Sequence, residues 1–335
     1  CGLIRMQNGH YMTGDGNHHR MVEVDMMGNT IHNWDMLERG YTMHHAISQD
    51  KQGNILATVS KTSAKIANGK DVRINDFIIR MDPEKGEILQ EWDLVHMLDS
   101  ARYGMTDYNL TADPYAQNAS NWAHNNGIVE WGNDYLATAR YQGIFKFNKA
   151  GGIEWIISPH GYWRDRYLKL LLNPLHADGT PITDPDVIAG TKNCDDFEWP
   201  WGCHTAVPLP NGHIFYFNNG YGRNFKLDFT DRKNVYTCGI EYEVDEVNRT
   251  VRQVWQYGKE RGTAYFTPAR SGVQYLEQTG NRLICPGMSN VLSNGNRGAR
   301  VTEVDPETQE IVFELELEDA IYQRVYRMSL YPDNQ

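Results

Sequence analysis

HTAVPLPNGHIFYFNNG (His204–Gly220), continued by GIEYEVDEVNRTVRQVWQYG (Gly239–Gly258), is the stretch whose reading decides the fold. It opens on a short strand and a tight turn at Asn211-Gly212. A second apolar strand follows, then a strand ending at Asp245, then a turn and a strand carrying Trp255. Apolar residues alternate with period two and turn residues punctuate every run, so the unit reads as four short antiparallel strands. One such unit is a propeller blade.

The unit recurs, and recurrence at this spacing predicts a ring of blades. LIRMQNGHYMTGDGNHHRMVEVDMMGNTIHNWDM spans Leu3–Met36. HAISQDKQGNILATVS with DFIIRMDPEKGEILQEWDL spans His45–Leu94. HNNGIVEWGNDYLATARYQGIFKFNKAGGIEWII spans His124–Ile157, and GVQYLEQTGNRLICPG with RVTEVDPETQEIVFELEL spans Gly272–Leu317. Units at about 2–36, 45–94, 124–157, 204–258 and 272–317, with a closing strand at 325–331, predict an all-β, six-bladed β-propeller forming one domain over 1–335. Trp34, Trp92, Trp155 and Trp255 fall at one place per unit, as aromatics packing between blades would. Two stretches, 95–123 and 158–203, break the rhythm. They predict long loops covering one mouth of the channel, with a short helix over Arg164–Leu172.

Composition narrows the function. Of 335 residues, 43 are acidic and 32 basic, a formal charge of −11 that excludes a general nucleic-acid binder. Apolar residues make up 40% and no apolar run is long enough for a membrane span. Five cysteines form no CxxC pair, and Cys194 and Cys203 could either close a small disulfide loop or stay reduced.

The candidate site comes from the repeat. His45 precedes Ile55 by ten residues and His204 precedes Ile214 by ten, with His124 one residue out of step. All three fall at the start of the innermost strand, which faces the central channel. Only one residue of the doublet His44-His45 can face it in strand geometry. Arg140, Tyr141, Arg223, Tyr326 and Arg327 lie at related places. Imidazoles, guanidiniums and phenols in one pocket suit a tetrahedral oxyanion or carboxylate. Trp122, Tyr162, Trp163, Trp199, Trp201 and Tyr221 supply further aromatics near the expected mouth.

NWAHNNGIVEW (121–131), ATARYQGIFKF (137–147), CHTAVPLPNGHIFYFNNGYGR (203–223) and EYEVDEVNRTVRQVWQYGKERGTAYFTPARSGVQYL (241–276) make the resemblance specific. The chain resembles the bacterial arylsulfate sulfotransferases from about Leu3 to Tyr331. That resemblance implies a six-bladed propeller in a periplasmic or secreted protein. It implies sulfuryl transfer between phenols through a sulfated histidine, without a cofactor. It also implies that His124 and His204 hold the sulfuryl group and that Arg223 clamps it. The family's nucleophilic histidine falls at Asn290 here, and none of the twelve histidines follows His213. An amide forms no sulfo-enzyme intermediate. Asn290 is expected only to donate a hydrogen bond to substrate.

Three functions therefore stand as expectations. The first is an arylsulfotransferase-like enzyme with His124, His204 and Arg223 as catalytic groups and His45, Arg140, Tyr141, Asn290, Tyr326 and Arg327 binding an anionic, aromatic ester. It would act by transfer or hydrolysis. The second is a lyase or hydrolase on a uronate-like or aromatic anion, with a divalent metal on His45, His124 and His204. The third is a propeller that binds a ligand without catalysis. The expected partner is a small anionic or aromatic molecule, with a homodimer as the one assembly considered.

Overall fold

The computed structural model describes residues 2–68, 71–102, 122–227, 229–289, 296–322 and 325, with the side chains of 62–68 and 71–75 outside the description. The chain is all β in its regular parts and folds as a propeller, but the described residues form five blades, not six. Blade one is β1 (Leu3–Arg5), β2 (Tyr11–Asp15), β3 (Arg20–Val24) and β4 (Thr30–Asp35). Blade two is β5 (Tyr41–Gln49), β6 (Ile55–Asn68), β7 (Asp71–Met81) and β8 (Ile88–Asp93). Blade three is β9 (Asn125–Trp131), β10 (Asp134–Ala139), β11 (Gly143–Phe147) and β12 (Ile153–Ile157). A short strand β13 (Asn173–Leu175) joins blade four, which is β14 (His204–Pro208), β15 (Ile214–Asn218), β16 (Cys238–Asp245) and β17 (Thr250–Tyr257). Blade five is β18 (Ser271–Tyr275), β19 (Arg282–Pro286), β20 (Ala299–Val304) and β21 (Ile311–Leu317). The sixth blade was inferred from a strand start at Tyr326–Tyr331, which lies outside the described residues.

The four main strands of each blade form an antiparallel meander in chain order, as hairpin connections give, with β13 added at the edge of blade four. The first strands line the axis: β5 lies against β9, β9 against β14, and β14 against β18. Strand alternation puts one side chain in two into the space between blades, and β2 and β3 show that pattern cleanly. The core accordingly forms in layers shared by neighbours. Met12, Met21, Met43 and Met81 fill the space between blades one and two. Trp92, Tyr135, Phe145 and Phe147 fill the next.

The four tryptophans complete that packing. Trp34 Nε1 donates to Pro83 O (3.1 Å), Trp92 to Lys149 O (3.0 Å), Trp155 to Glu246 Oε1 (2.8 Å) and Trp255 to Pro306 O (3.0 Å). In every case an outer strand reaches the outer hairpin of the following blade. The indole buries apolar area and still satisfies its one donor.

The insertion over 158–203 is tied to outer strands. β13 pairs in parallel with β17, and Leu171 bridges Ile156 of β12. Its helical turn covers only Asp165–Leu168, shorter than the Arg164–Leu172 expected. Beyond it, Leu170 O accepts from Ile156 N (2.8 Å) and Leu172 N donates to Ile156 O (3.0 Å), so the edge of β12 claims the backbone that a longer helix would need. A further turn of helix spans Pro185–Ala189. Cys194 and Cys203 are separate thiols: Cys203 is buried at the foot of β14, while Cys194 donates to Asp196 (3.1 Å). Residues 103–121 of the other long stretch lie outside the described residues. Among the described residues no helix is long and apolar enough to cross a membrane.

Candidate active site

The inner strands do not begin regularly. Pairing slips between Met43 and Ile47 on β5, between Asn125 and Gly127 on β9, and between His204 and Ala206 on β14. At or just before each slip a non-glycine residue enters the left-handed region: His45 (φ 43°) and Thr205 (φ 46°) within theirs, and His124 (φ 54°) one residue ahead of β9. Arg270, just before β18, does the same at φ 60°. Such backbone costs about 1 kcal/mol or more per residue and gathers at functional sites. The bulges re-aim the side chains that follow the turn.

One result is that both members of the His44-His45 doublet join the cluster. The expectation that only one could do so assumed a regular strand, and the bulge removes that premise. His44 Nδ1 lies 3.2 Å from His45 Nδ1, and His45 Nε2 lies 3.0 Å from His124 Nε2. Asp76, buried, holds its carboxylate 3.5 Å from His44 Nε2 while accepting from Asn125 N (2.9 Å) and Ser60 Oγ (3.2 Å). Asp76, His44, His45 and His124 thus form a row. One proton lies between the two Nε2 atoms of His45 and His124, so His124 offers a lone pair to that bond or a hydrogen, not both.

His204 is fixed differently. Its Nδ1 faces two acceptors, Asn219 Oδ1 at 2.6 Å and Gly202 O at 3.1 Å. The Asn219 amide is oriented by its own donation to Thr267 O (2.8 Å), so its oxygen must face the imidazole. Nδ1 therefore carries the hydrogen, and the basic lone pair of neutral His204 is on Nε2. The ring lies 6.1 Å from that of His45, centroid to centroid.

Arg140 is buried beside this group, with its guanidinium 4.5 Å from the centre of the Tyr221 ring and 5.7 Å from that of Tyr141. It donates to Pro268 O (2.7 Å). Tyr141 lies 6.1 Å from His124, ring to ring. Burial, then the Arg140 charge, then His204 and His44 hold the His124 imidazole well below its ordinary value of 6.5. His124 is neutral in the folded protein at neutral pH. The linkage has a definite sign: a buried neutral histidine supports the fold fully above pH 6.5 and loses that support as pH falls below it. Each unit below costs about 1.4 kcal/mol until the folded group itself titrates. Urea midpoints between pH 7 and 5 are expected to fall less steeply in His124→Asn than in the unaltered chain; equal slopes would contradict this.

Arg223 sits inside the wall. It pairs with Glu198, donates from Nε to Asn234 O (3.2 Å), and stacks 4.0 Å over Tyr236. Its Nη2 is buried with no hydrogen-bond partner among the described residues. Gly220, in the left-handed region, brings that guanidinium close: a Cβ there would lie 2.8 Å from Nη2 and 2.1 Å from Tyr236 O. The preceding residue is Asn219, which orients His204, so one turn serves both groups. Asn290, Tyr326 and Arg327 lie outside the described residues. Most of the aromatics expected at a mouth are packing instead: Trp122 and Trp163 fill one core layer, Trp199 and Trp201 another.

Residues 1–327 match the arylsulfotransferase (ASST) family. The chain belongs to this family. It is 28% identical over 365 residues to an arylsulfate sulfotransferase of Escherichia coli, and 28% identical over 366 residues to one of Lelliottia amnigena. All of this chain is covered in both comparisons, and it spans 60% of either relative's length. Among solved structures, a protein of unknown function from Bacteroides caccae aligns with a TM-score of 0.49 at 11% identity, covering 94% of this chain and 80% of its own.

The sequence missed His44, Asp76 and Asn219. Asp76 and Asn219 carry no positional signal, because Asp76 reaches the row from β7, a third strand, and Asn219 reaches His204 from the turn after β15.

Proposed function

We propose that this chain is an aryl sulfate sulfotransferase in which Nε2 of His204 receives the sulfuryl group. The observation that carries the reading is the pair of acceptors on His204 Nδ1, which put the lone pair on the opposite nitrogen. Attack on sulfur forms an N–S bond as the S–O bond to the donor phenol breaks, and the phenolate leaves. An acceptor phenol then attacks the same sulfur and frees Nε2. Its proton passes to the His45–His124 pair and from there to solvent. Arg140, buried beside the histidines, offsets charge on the sulfate oxygens, while Arg223 stays in the wall with Glu198. Substrate binding by Tyr141, Asn290, Tyr326 and Arg327 and an exported location belong to the same proposal.

His124 is the weaker nucleophile because its Nε2 is engaged with His45. A metal-dependent lyase or hydrolase on His45, His124 and His204 finds less support. Among the described residues, the one group of three ligand atoms within 4.8 Å of one another is His176, Cys194 and Asp196.

The test is direct. The folded protein is expected to release para-nitrophenol from para-nitrophenyl sulfate, faster with added phenol, and to yield phenyl sulfate. Absence of release under conditions where the fold is intact overturns the proposal. Release of inorganic sulfate alone would mean hydrolysis instead of transfer.

A further inference from the structure

The insertion between blades three and four brings together three donors that the sulfuryl chemistry does not use. His176 opens a turn closed by its N–H to Thr180 O (2.8 Å) and by Gly179 N to His176 O (2.9 Å). Cys194 and Asp196 come from a loop that starts eighteen residues later. His176 Nδ1 lies 3.0 Å from Asp196 Oδ1, and Cys194 Sγ lies 3.1 Å from the same oxygen. All three ligand atoms fall within 4.8 Å of one another. Ala177 N holds the other carboxylate oxygen at 2.9 Å, which fixes the carboxylate from behind.

We propose that His176, Cys194 and Asp196 bind one zinc ion. Tetrahedral zinc with bond lengths of about 2.0–2.3 Å places its ligand atoms about 3.3–3.6 Å apart. The three donors stand within small side-chain adjustments of that spacing. A nitrogen, a sulfur and one carboxylate oxygen suit zinc, whereas calcium and magnesium take oxygen sets. His176 and Asp196 are each more than one-third exposed, so the fourth position opens to solvent and water fills it. Without metal the thiol and the imidazole N–H both donate to Asp196. With metal, the thiol loses its proton to solvent, the neutral imidazole exchanges its hydrogen from Nδ1 to Nε2 through solvent, and Sγ, Nδ1 and the carboxylate oxygen all turn to the ion. Zinc would clip the turn after β13 to the loop that runs into Trp199, Trp201 and His204.

The experiment uses the untagged full chain stripped with a chelator, then titrated with zinc against a chromophoric competitor. One equivalent is expected to bind more tightly than micromolar and to raise Tm. Cobalt in place of zinc is expected to show a thiolate charge-transfer band. Cys194→Ser and His176→Ala should each weaken binding by about a hundredfold or more, beyond what loss of an outer partner does. Cys194→Ser is expected to abolish the band while keeping the hydrogen bond to Asp196, so that folding is preserved. No uptake by the unaltered chain, or equal uptake by both variants, overturns the proposal. Aryl sulfate turnover is a separate readout, and its failure would leave the metal result standing.

Discussion

His204→Ala is expected to lower aryl sulfate turnover by about ten-thousandfold, the largest effect of any single change in this chain. Loss of a nucleophile costs more than loss of a general base, which is worth about 10²–10⁴-fold. The fold should survive. Ser271 Oγ still donates to Asn219 Oδ1 (3.2 Å), and Asn219 still donates to Thr267 O, so that amide keeps partners after the ring is gone. The cavity left by the imidazole suggests a sharper measurement: added imidazole should restore part of the turnover in His204→Gly. Asn219→Leu should loosen the tautomer, leaving only Gly202 O to accept from Nδ1, and should also cost stability, because Thr267 O and Ser271 Oγ lose their buried partner. It removes an acceptor on Nδ1, so the pH profile of kcat is expected to shift and kcat to fall by about tenfold or more, with KM nearly unchanged. Turnover within threefold of normal in His204→Ala would end the assignment.

Glu198→Ala is expected to destabilise the protein by about 3–5 kcal/mol, because it leaves a buried cation without its counter-ion. The carboxylate of Glu198 accepts from Arg223 and from the Tyr236 hydroxyl, and Lys259 Nζ lies 3.6 Å away. Its carbonyl accepts from the Tyr242 hydroxyl. Arg223 and Glu198 are both almost fully buried, so water cannot replace the lost charge. Removing both charges at once, as Glu198→Met with Arg223→Met, should cost much less than the single changes add up to. Urea unfolding at constant m reads both outcomes. A loss below about 1 kcal/mol in Glu198→Ala would mean that Arg223 finds solvent, and the wall would not be as closed as described.

These two residues mark how far the sequence could be read. His204 was legible because it starts a strand whose turn and register repeat elsewhere in the chain. The blade boundaries and the tryptophan places were legible for the same reason. Arg223 was legible as a cation near the site, but its partner was not. Glu198 comes from the insertion, which has no period, and only the folded chain brings it to Tyr236. The doublet His44-His45 was misjudged because strand alternation fails where φ turns positive. The Arg164–Leu172 helix was misjudged because its leucines serve the edge of β12. Period and turn chemistry carry local structure, whereas irregular connections and bulges are settled by tertiary contacts. The blade count failed for another reason, since it rested on one strand start beyond Val325.

The indole bonds of Trp34, Trp92, Trp155 and Trp255 all run one way round the ring. Each N–H reaches a carbonyl or carboxylate supplied by chain that is made later. The waits are 49, 57, 91 and 51 residues. For a chain leaving the ribosome at about 5–20 residues per second, the longest is on the order of ten seconds. Blade three thus emerges with Trp155 uncovered while the whole insertion is still being synthesised. The ring is assembled on a schedule, and its longest uncovered interval runs through the strand that delivers His204 and on to Glu246.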